Sequence, residues 1–120
     1  MTKSVLLVDD EPANNLVHKL MISRLELAGE IVVMESALEA LDYLEKEHPD
    51  VILLDINMPA LSGWDFMDRF SSMSVAGKTK VYMVSSSVNP EDRERAVQND
   101  LIADFIEKPL KIEYLMQMLA

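Results

Sequence analysis

The chain has 120 residues, of which 49% are hydrophobic, and this size and composition predict one packed domain over residues 1–120 rather than a disordered segment. Because it has no cysteine, disulfides and zinc–thiolate sites are excluded, and its net charge of −10 argues against direct binding to nucleic acid. The apolar runs are too short for a bilayer span or a signal peptide, so we expect a cytoplasmic protein with no membrane partner.

Apolar or β-rich runs alternate with helical patterns along the chain. The predicted strands are Val5–Val8, Ile31–Met34, Val51–Ile56, Val81–Val84 and, more weakly, Asp104–Ile106. Three of these runs are almost continuously apolar, which is typical of strands buried on both faces of a parallel sheet.

Helical patterns lie between the predicted strands and after the last one. Pro12 suits the first turn of the first helix, Ser36 is suited to cap the second, and Asn89-Pro90-Glu91 opens a fourth that is highly charged. We expect His18 and His48 on the surface. The apolar residues at helical spacing are Leu16, Val17, Leu20, Met21 and Leu25; Ala37, Leu38, Ala40, Leu41 and Leu44; Trp64, Phe66, Met67 and Phe70; and Ile112, Leu115, Met116 and Leu119. Five β–α units predict an α/β fold with one doubly wound parallel sheet and helices on both faces.

Polar side chains stand at the carboxyl ends of four predicted strands, which is the edge where such sheets bind ligands. Asp9 and Asp10 follow the first strand, Asp55 the third, Ser85 the fourth and Lys108 the fifth. If the first and third strands are neighbours, three carboxylates converge and repel one another. A hard divalent cation would relieve this repulsion, and Mg²⁺ suits an all-oxygen site best. Acidic residues at a helix N-terminus are the simpler alternative for the Asp pair.

The same edge suits a phosphoryl group, since Mg²⁺ in such sites commonly also meets phosphate oxygens. Lys108 would neutralise phosphoryl charge, and the Ser85 hydroxyl would donate a hydrogen bond to it. Asp55 is central and single, which makes it the candidate nucleophile for an aspartyl phosphate.

Four motifs, "VDDE", "LLDINMP…SG", "MVSS" and "FIEKPL", occur in this order at these strand ends. In this respect the sequence closely resembles the receiver domain of two-component response regulators, of the CheY-like superfamily, from about Val5 to Leu119. The resemblance implies a flavodoxin-like fold with five helices and five parallel strands in the order 2-1-3-4-5.

The resemblance also implies roles for the site residues. Asp55 corresponds to the phosphoacceptor, and Ser85 to the residue that shifts toward the phosphoryl group. Mg²⁺ would be bound by Asp10, Asp9 and Asp55, and by the main-chain carbonyl of Asn57.

Further positions either match the family or depart from its commonest pattern. Lys108 matches the lysine of the site, the bond to Pro109 is usually cis in the family, and Phe105 matches an aromatic switch position. Ser62 stands where Asp is frequent, and Asn57 and Ser87 occupy positions that tune the lifetime of the phosphoryl group.

The implied function is a phosphorylation-controlled binding module rather than an enzyme with independent turnover. A histidine kinase or phosphotransfer protein would donate the phosphoryl group, and the surface of helix 4, strand 5 and helix 5 would signal to a downstream protein. The sequence leaves open whether phosphorylation produces a dimer. Met1 and the full fifth helix favour a stand-alone regulator over a receiver cut from a larger protein.

Three other functions were weighed. A phosphohydrolase with an aspartyl nucleophile usually needs a second acid two residues on, where this chain has Asn57. A flavin-binding module needs a phosphate loop after the first strand, and the charges of "DDEP" would repel phosphate. A receiver that no longer signals through phosphate is disfavoured by the complete acidic set.

Overall fold

In the computed structural model, residues 2–86 and 89–120 are described, and strands and helices alternate throughout them. Ser87, with its predicted influence on phosphoryl lifetime, lies outside the described residues. The predicted strands and helices are confirmed, with small shifts at their ends. The elements are β1 (Lys3–Val8), α1 (Pro12–Leu25), β2 (Ala28–Met34), α2 (Ala37–Leu44), β3 (Val51–Asp55), α3 (Gly63–Phe70), β4 (Lys80–Ser85), α4 (Pro90–Val97), β5 (Ile102–Glu107) and α5 (Ile112–Leu119).

The strands form one parallel sheet in the order β2-β1-β3-β4-β5, which confirms the predicted flavodoxin-like topology. β1 is an interior strand, and Val8 pairs in register with Met34 of β2 and with Leu54 of β3. The chain runs outward from β1 to β2 and then crosses back to β3. The strand order therefore reverses between β1 and β3, and a binding crevice is expected at the carboxyl ends of these two strands.

Helices cover both faces of the sheet, and β1 contributes to both cores because successive side chains point to opposite faces. Leu6 and Val8 pack into the core under α2 and α3, which includes Phe66. Val5 and Leu7 pack into the core under α1 and α5. Burial on both faces explains why the sequence of β1 is continuously apolar.

Helix α1 packs against the core with only part of its predicted apolar set, since Met21 and Leu25 contact the core. Leu16, Val17 and Leu20 are each more than half exposed, whereas Asn15, His18 and Ile22 are buried. The prediction that His18 lies on the surface is therefore wrong, while His48 is exposed as expected. The rotation of α1 is fixed by Asn15, whose Nδ2 donates to the main-chain oxygen of Asp9 at 2.8 Å.

Helix α4 is attached to the protein mainly through polar and cation–π contacts. Ala96 is its buried residue, whereas Val97 is 79% exposed. The sequence predicted this shortage of apolar contacts. Within the described part of the chain, no helix has both the length and the apolar character needed to cross a membrane.

Candidate functional site

Three carboxylates meet where β1 and β3 end. Asp9 and Asp55 are buried and Asp10 is half-buried, and one carboxylate oxygen from each lies within 4.8 Å of the others. The adjacency of β1 and β3 in the sheet produces this convergence. Carboxylates this close repel one another unless a cation or a proton lies between them.

Lys108 reaches this acidic cluster from the end of β5. Its Nζ lies 2.9 Å from Asp9 Oδ2 and 3.5 Å from Asp55 Oδ1. The Lys108 main-chain N–H donates to Ser85 O, and the Lys108–Pro109 peptide bond is cis. Burial by itself would lower the pKa of Lys108, but the two carboxylates raise it above its usual value. The side chain is therefore a permanent cation at the acidic cluster.

Asp55 holds its proton more tightly than an ordinary aspartate. Its pKa is raised to about 6, first because of burial and also because of repulsion from Asp9. Lys108 and a hydrogen bond from the Asn57 main chain act in the opposite direction. The ionised cluster thus has more negative charge than one ammonium group compensates. The atoms that this cluster offers to a metal ion are all carboxylate oxygens, from Asp9, Asp10 and Asp55. Such a set of oxygen ligands fits Mg²⁺.

The segment between β3 and α3 folds back tightly under Asp55. The Gly63 N–H donates to Ile56 O at 2.8 Å, and a Cβ at position 63 would lie 2.8 Å from Asp55 O. Only glycine fits such an approach to the backbone. Ser62 then caps α3 in a reciprocal pair with Asp65, which gives Ser62 a local structural role.

Ser85 and Phe105 lie on the neighbouring strands. Asp55 pairs in register with Val84, so Ser85 follows at the same edge of the sheet, and it is fully buried. Phe105 on β5 is buried, with the Arg93 guanidinium 5.0 Å from its ring centre. The structure thus brings Ser85 to the acidic edge and places Phe105 under α4.

Several polar contacts to Asp9 were not identified from the sequence. The Glu11 N–H donates to Asp9 Oδ1 at 3.0 Å, and Asn14 Nδ2 lies 3.4 Å from Asp9 Oδ2. Asn15 is 98% buried and binds the Asp9 main chain. Two consecutive asparagines at the start of a helix, directly after the acidic pair, were the available signal for this arrangement.

Comparison with known proteins agrees with this geometry. Residues 5–120 match the model of the response regulator receiver domain family. The polar-differentiation response regulator DivK of Brucella ovis is 35% identical over 113 residues, which are 93% of this chain and 89% of that protein. Two-component response regulator 24 of Arabidopsis thaliana is 30% identical, over 97% of this chain and 81% of that one. The crystal structure of a two-component response regulator from Cytophaga hutchinsonii superimposes with a TM-score of 0.93 at 29% identity, covering 98% and 95% of the two chains.

Proposed function

Because the chain belongs to the response regulator receiver domain family, we propose that it accepts a phosphoryl group on Asp55 from a histidine kinase or a phosphotransfer protein, with Mg²⁺ as cofactor. The observation that carries this proposal is the geometry of the acidic cluster. Asp9, Asp10 and Asp55 present oxygens within 4.8 Å of one another, and Lys108 contacts two of the three. This combination suits the transfer of an anionic group onto a carboxylate.

In the proposed reaction, a carboxylate oxygen of Asp55 attacks the phosphorus of the donor. The bond from phosphorus to the donor nitrogen or oxygen breaks, and the leaving group keeps its electron pair. Mg²⁺ would neutralise charge on the transferred group, held by Asp9, Asp10, Asp55 and the main-chain carbonyl of Asn57. Lys108 would supply a second positive charge, since its Nζ lies 2.9 Å from Asp9 Oδ2 and 3.5 Å from Asp55 Oδ1.

The aspartyl phosphate would then act on the neighbouring strands. The new oxygens attract the Ser85 hydroxyl and Lys108, which stand at the ends of β4 and β5. We propose Phe105 as the switch residue that couples this movement to the surface of α4, β5 and α5. Because α4 has little apolar contact with the core, a small change beneath it is enough to displace it.

In this proposal the phosphorylated domain acts by binding another protein rather than by turning over a substrate. We propose a downstream protein as the target of the α4, β5 and α5 surface, in the cytoplasm, with no direct role for nucleic acid or membrane. The acidic net charge supports a protein target. Catalysis is limited to phosphorylation and dephosphorylation of the chain itself, and phosphorylation-dependent dimerisation is an additional output to examine.

Intact mass after incubation with acetyl phosphate tests the proposal. One phosphoryl adduct is expected in the wild type with Mg²⁺, and none without Mg²⁺ or in Asp55→Asn. Asp42→Asn, at an exposed position of α2, is the matched control and should behave as the wild type. An adduct of equal yield in Asp55→Asn would contradict the assignment of the phosphoacceptor. If acetyl phosphate is not a donor, beryllofluoride binding followed by Trp64 fluorescence replaces it.

A further inference from the structure

A small cavity, partly open to its surroundings, lies beside the acidic cluster, between α1 and the strands β1, β3 and β4. Its volume is about 10 Å³, which is room for one water molecule. Its lining includes four apolar and four polar residues. The apolar ones are Leu7, Val8, Leu53 and Val84, and the polar ones are Asp9, Asn15, His18 and Asp55. A purely apolar cavity of this size would stay dry, whereas a water molecule with several polar partners is held.

Asn15 has an unmet hydrogen-bonding group beside this cavity. Its Nδ2 is oriented by two acceptors, Asp9 O at 2.8 Å and Met34 O at 3.5 Å. Because both are carbonyl oxygens, the amide nitrogen must face them, and Oδ1 points the other way. That Oδ1 is buried and has no hydrogen-bond partner among the residues that the structure describes. Leaving a buried acceptor without a donor costs about 1–3 kcal/mol.

His18 stands one turn after Asn15 on the same buried face of α1, and it is 8% exposed. It borders this cavity and also a larger groove of about 370 Å³ beside Lys108 and Pro109. Burial lowers the pKa of His18, and the charge of Lys108 lowers it further. A neutral imidazole has one donor and one acceptor nitrogen, so it can bind a water molecule in either orientation.

We propose that Asn15 and His18 bind a single internal water molecule in this cavity, and that this unit positions Asp9 in the acidic cluster. The water donates to Asn15 Oδ1 and bonds to the His18 ring, which completes the polar groups around the cavity. The amide of Asn15 is then fixed at both ends, with Nδ2 on the Asp9 main chain. Asn15 and His18 are positioning residues, because they act on the site through Asp9.

The expected consequence is on metal affinity, and this part rests on the proposed function of the acidic cluster. Asp9 is both a proposed Mg²⁺ ligand and the closest partner of Lys108. Removal of a group that orients a metal ligand commonly weakens metal binding 10–100-fold. Loss of the internal water should therefore weaken Mg²⁺ binding, while the chemistry at saturating Mg²⁺ changes little.

The water itself is tested first, by oxygen-17 magnetic relaxation dispersion on the full chain without Mg²⁺. The two informative variants have side chains of similar shape. His18→Asn keeps a hydrogen-bonding group, and His18→Leu removes it. The wild type and His18→Asn should each show one more long-lived internal water than His18→Leu. An equal number of long-lived waters in the wild type and His18→Leu would overturn the proposal.

The positioning role is tested with the same variants by calorimetric titration with Mg²⁺ and by the rate of adduct formation from acetyl phosphate. His18→Leu should raise the Kd for Mg²⁺ about 10-fold, with less than about a 2-fold change in rate at saturating Mg²⁺. His18→Asn and the control His48→Leu should stay within about 2-fold of the wild type. Equal Mg²⁺ affinities in His18→Leu and the wild type, or a Kd for His18→Asn as high as that of His18→Leu, would overturn the positioning role. Failure of the proposed function would give a different result. In that case no Asp55 adduct would form in any variant, but the difference in internal water between the wild type and His18→Leu would persist.

Discussion

Trp64 Nε1 donates a hydrogen bond to Asp92 Oδ1 at 3.1 Å, and this bond joins the start of α3 to the first turn of α4. The Arg95 guanidinium lies 4.5 Å from the centre of the Trp64 ring, which adds a cation–π contact between the same two helices. Ala96 is the buried residue of α4. The attachment of α4 therefore depends on polar contacts that can break without opening the core.

Asp92→Ala is expected to lower the free energy of unfolding by about 1 kcal/mol, because the buried indole N–H loses its acceptor. Urea unfolding followed by circular dichroism measures the change. Glu91→Ala is the matched control, since it removes an acid from the same helix turn at an exposed position. It should have a clearly smaller effect. Equal losses in the two variants would show that the bond to Trp64 does not stabilise α4.

Gly63→Ala should destabilise the fold by about 1–3 kcal/mol, because the new Cβ would lie within 3 Å of Asp55 O and Ile56 Cα. Both atoms are backbone at the end of β3, so relief of the clash must move Asp55. We therefore expect slower formation of the phosphoryl adduct together with the lower stability, measured by intact mass and thermal unfolding.

The control for this substitution is Gly29→Ala. Its Cβ would meet the Thr2 side chain, which is exposed and can move away. Little loss of stability and a normal rate of adduct formation are expected. If Gly63→Ala behaved in the same way, the close approach of α3 to β3 would not constrain the site.

The position of the acidic cluster was predictable from the sequence, because each buried strand is an apolar run that ends at a polar or charged residue. Continuous apolar runs identified β1 and β3 as buried strands, and the charged residues directly after them could lie only at the edge of the sheet. The family resemblance supplied the strand order, which the sheet confirms. Ser62 and Gly63 were recognised in the sequence as part of a motif. The close approach of Gly63 to the backbone of Asp55 and the hydrogen bond by which Ser62 caps α3 are seen only in the structure.

The rotation of α1 was not predictable, because the helix has apolar residues on both sides. Leu16, Val17 and Leu20 form one stripe at helical spacing, and His18 and Ile22 lie on another. Apolar periodicity alone favours the first stripe. The hydrogen bonds of Asn15 to the ends of β1 and β2 select the second, and such side-chain to main-chain bonds cannot be read from periodicity.

Stability should depend on pH through Asp55. An unfolded chain releases the Asp55 proton near pH 3.8, whereas the folded chain holds it up to about pH 6. The folded state therefore binds more protons between these values, and the contribution of Asp55 to the free energy of unfolding falls as pH rises through this interval. Without Mg²⁺, Asp55→Asn should be more stable than the wild type at pH 7, by up to about 3 kcal/mol.

Thermal unfolding in EDTA at pH 4, 5, 6 and 7 measures this effect. The difference in Tm between Asp55→Asn and the wild type should grow across the series, and Mg²⁺ at pH 7 should reduce it. Asp42→Asn removes the same charge at an exposed position and controls for the general repulsion of an acidic chain. A difference in Tm that is constant with pH would contradict the raised pKa of Asp55.

Lys108→Met should change stability and metal affinity in opposite directions. In EDTA, removal of the ammonium leaves Asp9 and Asp55 without their cation, and the free energy of unfolding should fall by about 3 kcal/mol. The same substitution removes a positive charge that repels Mg²⁺, so the affinity for Mg²⁺ should rise about 10-fold. Saturating Mg²⁺ should then restore most of the lost stability, since the metal takes over part of the role of Lys108.

Lys111→Met is the control for Lys108→Met, because Lys111 is exposed and lies three residues further along the chain. It should leave both quantities close to wild type, as measured by calorimetric titration with Mg²⁺ and by urea unfolding. A loss of stability in Lys108→Met without tighter Mg²⁺ binding would mean that the lysine only fills space beside the carboxylates. Tighter binding together with recovery in Mg²⁺ would show that Lys108 and the metal compete to neutralise the same acidic cluster.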